Sequence, residues 1–286
     1  MSAMPNCATP NWAIAGVVTT FNNAQTLSRC LASLKAICSE IVVLDSGSTD
    51  RTREIAESFG ARFYVQAFAG YSAQKTAAIA LATSDWIVLL DSDEALDDVA
   101  QKAICAALPA LTALTLTPET SAISGFRLKR RELIFWRYQH AFSKHNRFLR
   151  VFDRCKARMS GHTVHESVLV TGKVGDLAGC IIHEGDRSIE QKLTKLNQYS
   201  SLAALAKRPL PGFAGAFRLT LYPVWYFFRA YLLRRQFLNG WAGYVNSVEL
   251  AHYAFLKYAK MLEQAKKTQE KKTQTKILAT EKEGSK

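Results

Sequence analysis

The sequence predicts an α/β fold built on a parallel sheet, and three observations carry that expectation. Short apolar, β-branched runs recur at AIAGVVTTF (13–21), EIVVLD (40–45), ARFYVQ (61–66) and WIVLL (86–90). Amphipathic or Ala-rich stretches of helical periodicity separate them. The connections are short, and strands that alternate with helices in this way pair in parallel. Such sheets hold their ligands beyond the carboxyl ends of the strands. That edge gathers Thr19–Thr20, Asp45 and Asp91–Asp93.

Taken in order, the first strand leads into NNAQTLSRCLASLKAI, where Leu27, Leu31 and Leu34 share one helical face and Asn22 or Asn23 can cap it. After the second strand, SGSTDRTREIAESFG offers Ser, Thr and Asp caps, then Gly60 as a stop. SAQKTAAIALATS is the helix before the fourth strand. SGFRLKRRELIFWRY and HNRFLRVFDR alternate apolar with basic residues, the pattern of half-exposed strands. Ser188 and Gln191 form a capping box for a helix whose stripe is Ile189, Leu193, Leu196 and Tyr199.

Residues 213–258 change character. LTLYPVWYFF lies between Arg218 and Arg229 and is too short to cross a bilayer, which takes about 20 apolar residues. The two arginines are about 20° apart around a helix, so they share a face. Aromatics opposite arginines describe a helix in a membrane interface, kinked at Pro223; a core helix packed on the main domain is the alternative. The polar end of the chain reads as a disordered tail. The expected organisation is a catalytic domain at 1–210, a helical membrane-association region at 211–264 and a disordered basic tail at 265–286.

The formal net charge is +13, from 37 Lys+Arg against 24 Asp+Glu. That balance favours nucleic acid, anionic lipid or phosphorylated ligands without choosing among them. The six cysteines are widely spaced with no C-x-x-C pair, so they read as reduced and cytosolic. The N-terminus lacks the basic start and apolar core of a signal peptide.

Against this basic background WIVLLDSDEALDD (86–98) concentrates five acidic side chains at the end of a buried strand. Carboxylates there are costly without a cation or hydrogen bonds. A divalent ion held by one or two carboxylates and phosphate oxygens meets that need. The alternative places Glu94, Asp97 and Asp98 at the N-terminus of a following helix, where acids are favoured, and for Asp97 and Asp98 it is preferred.

The ordered series VVTTFNNAQTLSRCLASL, SGSTDRT, AQK, LDSDE, RVF, VHE and FLNGWAGYVNSVELAHYAFLKYAK resembles the inverting family-2 glycosyltransferases of GT-A fold. The nearer match is the lipopolysaccharide-core β-1,4-glucosyltransferase-like group, over roughly residues 13–262. The resemblance implies a mostly parallel sheet flanked by helices, with amphipathic helices at the C-terminus. It implies that Asp45 accepts from a uracil N–H with Thr19 in the same pocket, and that Lys75 faces the donor diphosphate. Asp91 would lie near the ribose and metal, Asp93 would ligate the metal (Mg²⁺ or Mn²⁺), and His183 could add a ligand. Glu166 would take the acceptor proton with His165 orienting it, and Arg147 and Arg150 could clamp phosphate. Each has a plainer reading: a turn cap for Asp45, a solvated lysine, a surface Glu166, a structural His183, or strand-face arginines in ion pairs. His162 and His165 lack the cysteine pair that would complete a tetrahedral zinc site. The chain departs from the family pattern at Asn23-Ala24, at Thr76 and at the HEGD that contains His183.

The implied activity is transfer of a hexose, glucose from UDP-glucose, to a lipid A–core acceptor. It would take place at the cytoplasmic face of a Gram-negative inner membrane, on an anionic membrane surface, with no nucleic acid as partner. A polyprenyl-phosphate sugar transferase and a non-catalytic basic membrane-binding module are the rivals. A nicotinamide dehydrogenase is disfavoured because no G-x-G-x-x-G follows the first strand.

Overall fold

Four β-branched strands lie side by side in parallel in a computed structural model that describes residues 13–113, 123–160, 167–185, 188–206 and 213–283. They are β1 (Ile14–Thr20), β2 (Glu40–Asp45), β3 (Arg62–Val65) and β4 (Trp86–Asp91). Their order is β3-β2-β1-β4, and Thr19 stands opposite Asp91 while Thr20 stands opposite Asp45. Helices α1 (Ala24–Lys35), α2 (Thr52–Ser58) and α3 (Tyr71–Ala80) make the crossovers.

Beyond β4 the sheet turns mixed. It continues through β8 (Asn146–Asp153), β6 (Ile123–Ile134), β11 (Lys173–His183) and β5 (Glu94–Leu96). β8 is antiparallel to both β4 and β6, β11 is parallel to β6, and β5 is antiparallel to β11. A small ribbon pairs β9 (Ala157–Met159) with β10 (Val168–Val170). The mostly parallel α/β sheet expected from the sequence is therefore present, with an antiparallel flank. Helix α4 (Asp98–Ala113) follows β5.

The core lies on both faces of the sheet. Leu27, Leu31, Leu34 and Ile104 pack with Val18, Val43 and Leu90 on one face; Ala78 and Ala82 pack with Val17, Val42 and Leu89 on the other. Strands buried on both faces explain why their sequences run apolar without alternation.

By contact density the chain forms two compact units: residues 1–132 with 145–185, and 133–144 with 186–286. Helix α5 (Ile189–Leu205) falls in the second of these units. In the second unit, α6 (Phe213–Phe228) continues through Pro223 into a π-helical turn at Arg229–Leu233. Buried Ala204, Tyr258 and Met261 cluster with Leu219 and Tyr222, joining α5, α6 and α7 (Gly240–Glu283).

The FLNG stretch has a structural task in the same unit. Asn239 accepts from the His140 N–H at 2.6 Å and donates to Ser143 Oγ at 3.2 Å, which ties the 133–144 segment to the start of α7. Helix α7 runs on to Glu283, through the stretch expected to be disordered. Ion pairing of Glu263 with Lys267 one turn later, at 2.6 Å, is the kind of contact that supports a polar helix. No helix among the described residues is long and apolar enough to cross a membrane.

Candidate functional site

The carboxyl ends of the parallel strands bring Thr19, Asp45 and Asp91 to one edge of the sheet, and the first of these is Asp45. It ends β2 and is only 2% exposed. Its Oδ2 accepts from the N–H groups of Gly47 and Ser48 at 2.8 and 2.6 Å, and its Oδ1 accepts from the Ser48 hydroxyl. The DSGS turn is thus closed by its own aspartate, as the turn-cap reading expects. Thr19 is half-buried on β1, and next to it the hydroxyl of Thr20 is buried with no hydrogen-bond partner among the described residues.

The acidic burst after β4 divides into two kinds of residue. Asp97 is a cap: its Oδ1 accepts from the Ala100 N–H at 2.7 Å, and α4 begins at Asp98. Asp91, Asp93 and Glu94 instead enter a chain of alternating charges. Lys75 Nζ meets Asp91 Oδ1 at 2.7 Å, and Arg150 meets Asp91 Oδ2 at 2.9 Å and Glu94 Oε1 at 2.8 Å. Arg130 joins Glu94 at 3.3 Å to Glu132 at 2.8 Å. Glu132 hydrogen-bonds His183 Nδ1, and His183 Nε2 lies 3.3 Å from Asp93 Oδ2.

Four carboxylates therefore alternate with Lys75, Arg150, Arg130 and His183, and the row is balanced when His183 is protonated. Burial opposes charge on His183, but hydrogen bonds to Asp93 and Glu132 outweigh it and raise its pKa to about 10. Burial likewise opposes charge on Asp91, and the nearby Arg150 and Lys75 hold its carboxyl well below the usual range.

The expected site residues that fall within the described stretches now have a place. Lys75 is buried against Asp91, and Asp91 commits both oxygens to cations. Arg150 is buried between Asp91 and Glu94, while Arg147 pairs on the surface with Asp176 at 2.7 Å, the strand-face reading. Asp93 and His183 converge. His162, His165 and Glu166 lie outside the described residues.

Sequence reasoning missed Glu94, Arg130 and Glu132. Glu94 sits on a three-residue strand opposite His183, a pairing that no local periodicity announces. The only hint is the placement of Arg130 and Glu132 two residues apart on one strand face.

The donor set suits a hard divalent cation. Neighbouring ligands of an octahedral ion with bonds of about 2.1 Å stand about 3 Å apart, close to the 3.3 Å between Asp93 Oδ2 and His183 Nε2. Glu132 on Nδ1 is the outer partner that metal-binding histidines usually have. No group of three His, Cys, Asp or Glu side chains able to hold an ion occurs among the described residues. Asp93 and His183 would supply two ligands to such an ion, with the remaining positions left to phosphate oxygens and water.

The comparisons with known proteins agree with one another. The model of glycosyl transferase family 2 matches residues 17–158. An uncharacterized glycosyltransferase of Rickettsia felis is 32% identical over 262 residues, covering 87% of this chain and 89% of its own. The lipopolysaccharide core biosynthesis glycosyltransferase LpsC of Rhizobium meliloti is 31% identical over 265 residues, covering 88% and 93%. The crystal structure of S. aureus TarS matches 86% of this chain and 55% of its own at 12% identity and a TM-score of 0.45, too distant to add to this.

Proposed function

This chain belongs to glycosyl transferase family 2, and we propose that it transfers glucose, with inversion, from UDP-glucose to the inner core of lipopolysaccharide. The observation that carries the reading is the convergence of Asp93 and His183 at the carboxyl end of β4, backed by Glu132. The name of the Rhizobium meliloti relative, a lipopolysaccharide core biosynthesis glycosyltransferase, supports the choice of acceptor. A lipid-linked acceptor places the work at the cytoplasmic face of the inner membrane.

In this reading Asp93 and His183, the latter as a neutral imidazole, would hold a Mg²⁺ or Mn²⁺ ion. Such an ion supplies neutralising charge to a departing diphosphate. Asp45 and Thr19 line the base pocket. Lys75 and Arg150 keep Asp91 ionised and fixed, which sets the position of the loop that carries Asp93. The acceptor hydroxyl oxygen attacks the anomeric carbon as the bond to the diphosphate breaks, and Glu166 takes the hydroxyl proton.

The test is calorimetric titration of UDP, ADP, GDP and CMP, each with and without Mn²⁺. UDP binding that requires the ion and disappears in Asp93→Asn is the expected result. Binding of ADP alone moves the donor to another sugar class, and ion-independent behaviour with every nucleotide overturns the reading. Glu166→Gln is expected to keep UDP binding and lose transfer; near-normal turnover removes Glu166 from the base role.

A further inference from the structure

In the second unit one face of α6 is apolar and exposed. Leu219 and Tyr222 turn towards the cluster of Ala204, Tyr258 and Met261. Phe217, Leu221, Val224, Trp225 and Phe228 are each about half exposed instead. At about 100° per residue these five fall within a sector roughly 100° wide. The exposure continues past the helix at Leu232 and Leu233, and Trp241 at the start of α7 is 77% exposed.

A row of large side chains in water is unfavourable by about 25 cal/mol for each Å² that could be buried. Scattered exposed apolar residues are ordinary, but a contiguous aromatic row marks a contact surface. The charges around it indicate the contact. From Phe213 to Val248 the sequence contains Arg218, Arg229, Arg234 and Arg235 and no Asp or Glu. By helical position Arg218 and Arg229 sit beside Trp225 at the edge of the apolar sector, and not opposite the aromatics as expected from the sequence; there long side chains can reach outward past a buried face.

We infer that this face of α6, with the turn that follows it, docks the enzyme on the surface of an anionic lipid bilayer. The aromatic row enters the interface and the flanking arginines meet lipid phosphates, the arrangement of an interfacial amphipathic helix. A protein partner could cover the apolar row, but it would need acidic groups at both ends to match the arginines. An anionic bilayer presents them everywhere. The inference deepens the reading of a membrane-borne acceptor and rests on it for its purpose. Its test is separate, since vesicle binding is measured with neither donor nor acceptor present.

The experiment is flotation of the full chain with phosphatidylcholine vesicles, with and without phosphatidylglycerol, at low and high NaCl. Binding is expected only with phosphatidylglycerol, weakening as salt rises. The exposed positions make Trp225→Ser with Phe228→Ser a safe variant for folding, checked by circular dichroism, and it is expected to weaken binding by about tenfold or more. Asp93→Asn is expected to bind vesicles as the parent does, so failure of the donor reading leaves this result standing. Failure to float on either vesicle, or binding unchanged in the Trp225/Phe228 variant, overturns the proposal. So does a lipid-free dimer of the parent that this variant dissociates, because the face is then an interface between copies of the chain.

Discussion

Glu94 shows how much of this site depends on a single buried charge. Its side chain is fully buried, its Oε1 receives both Arg150 and Arg130, and its Oε2 accepts from the Asp91 N–H at 3.1 Å. Glu94→Gln keeps the shape and removes the charge, which leaves Arg150 buried with only Asp91 as a counter-ion. Breaking a buried pair by removing one partner costs about 3–5 kcal/mol. Urea unfolding is expected to report a lower midpoint at an unchanged slope; an unmoved midpoint means that Arg150 gains nothing from Glu94. The sequence sets Asp97 and Asp98 apart as helix-start acids, and Asp97 does cap α4, but Asp91, Asp93 and Glu94 look alike until strand pairing separates them.

At the scale of elements, two connections set how the strands meet. Gly179 lies in β11 at φ +87, and a Cβ there would stand 2.2 Å from the Ala100 nitrogen and 2.7 Å from Asp97 Oδ1. Gly179→Ala therefore combines a left-handed backbone with a clash against the first turn of α4. About 3 kcal/mol or more of destabilisation is expected, read as a lowered Tm. Glu40 at the start of β2 is the second connection: its Oε1 accepts from the N–H and hydroxyl of both Thr83 and Ser84, at 2.7–2.9 Å. Burial works against its charge, but these hydrogen bonds win and lower its pKa from 4.5 to about 2. The folded state thus binds this proton less readily than the unfolded chain. Its contribution is complete above about pH 4.5 and is lost as the pH falls through about 2. Glu40→Gln is expected to flatten the stability curve across that window, and an unchanged acid limb would assign the effect to other carboxylates. The four parallel strands were legible because each is a continuous apolar run between turn signals. The flank strands Ile123–Ile134 and Asn146–Asp153 were legible too, from their alternation of apolar and basic residues, but the strand Glu94–Leu96 and the antiparallel pairing of the flank were not, because that pairing is long-range.

Across the whole molecule the positive charge is unevenly placed, and this was legible in outline only. The total of +13 could be counted, and the acid-free stretch between Glu190 and Glu249 can be read directly. What could not be read is that Lys75, Arg130 and Arg150 are spent inside, against Asp91, Glu94 and Glu132. A cluster that neutralises itself adds little to the distant field, so the excess that anionic ligands meet comes from the remaining basic residues. Such a field speeds the arrival of an anionic donor and is screened by salt. Raising the ionic strength from about 10 to 150 mM shortens the screening length from about 30 to 8 Å. On the proposed reading, kcat/KM for the nucleotide sugar is expected to fall over that range while kcat changes little, because steering acts on encounter and not on the bound complex. Steady-state kinetics with a soluble acceptor fragment separates this from vesicle binding. A salt effect confined to kcat would move the dependence from donor capture into the charged row itself, where Lys75 and Arg150 hold Asp91.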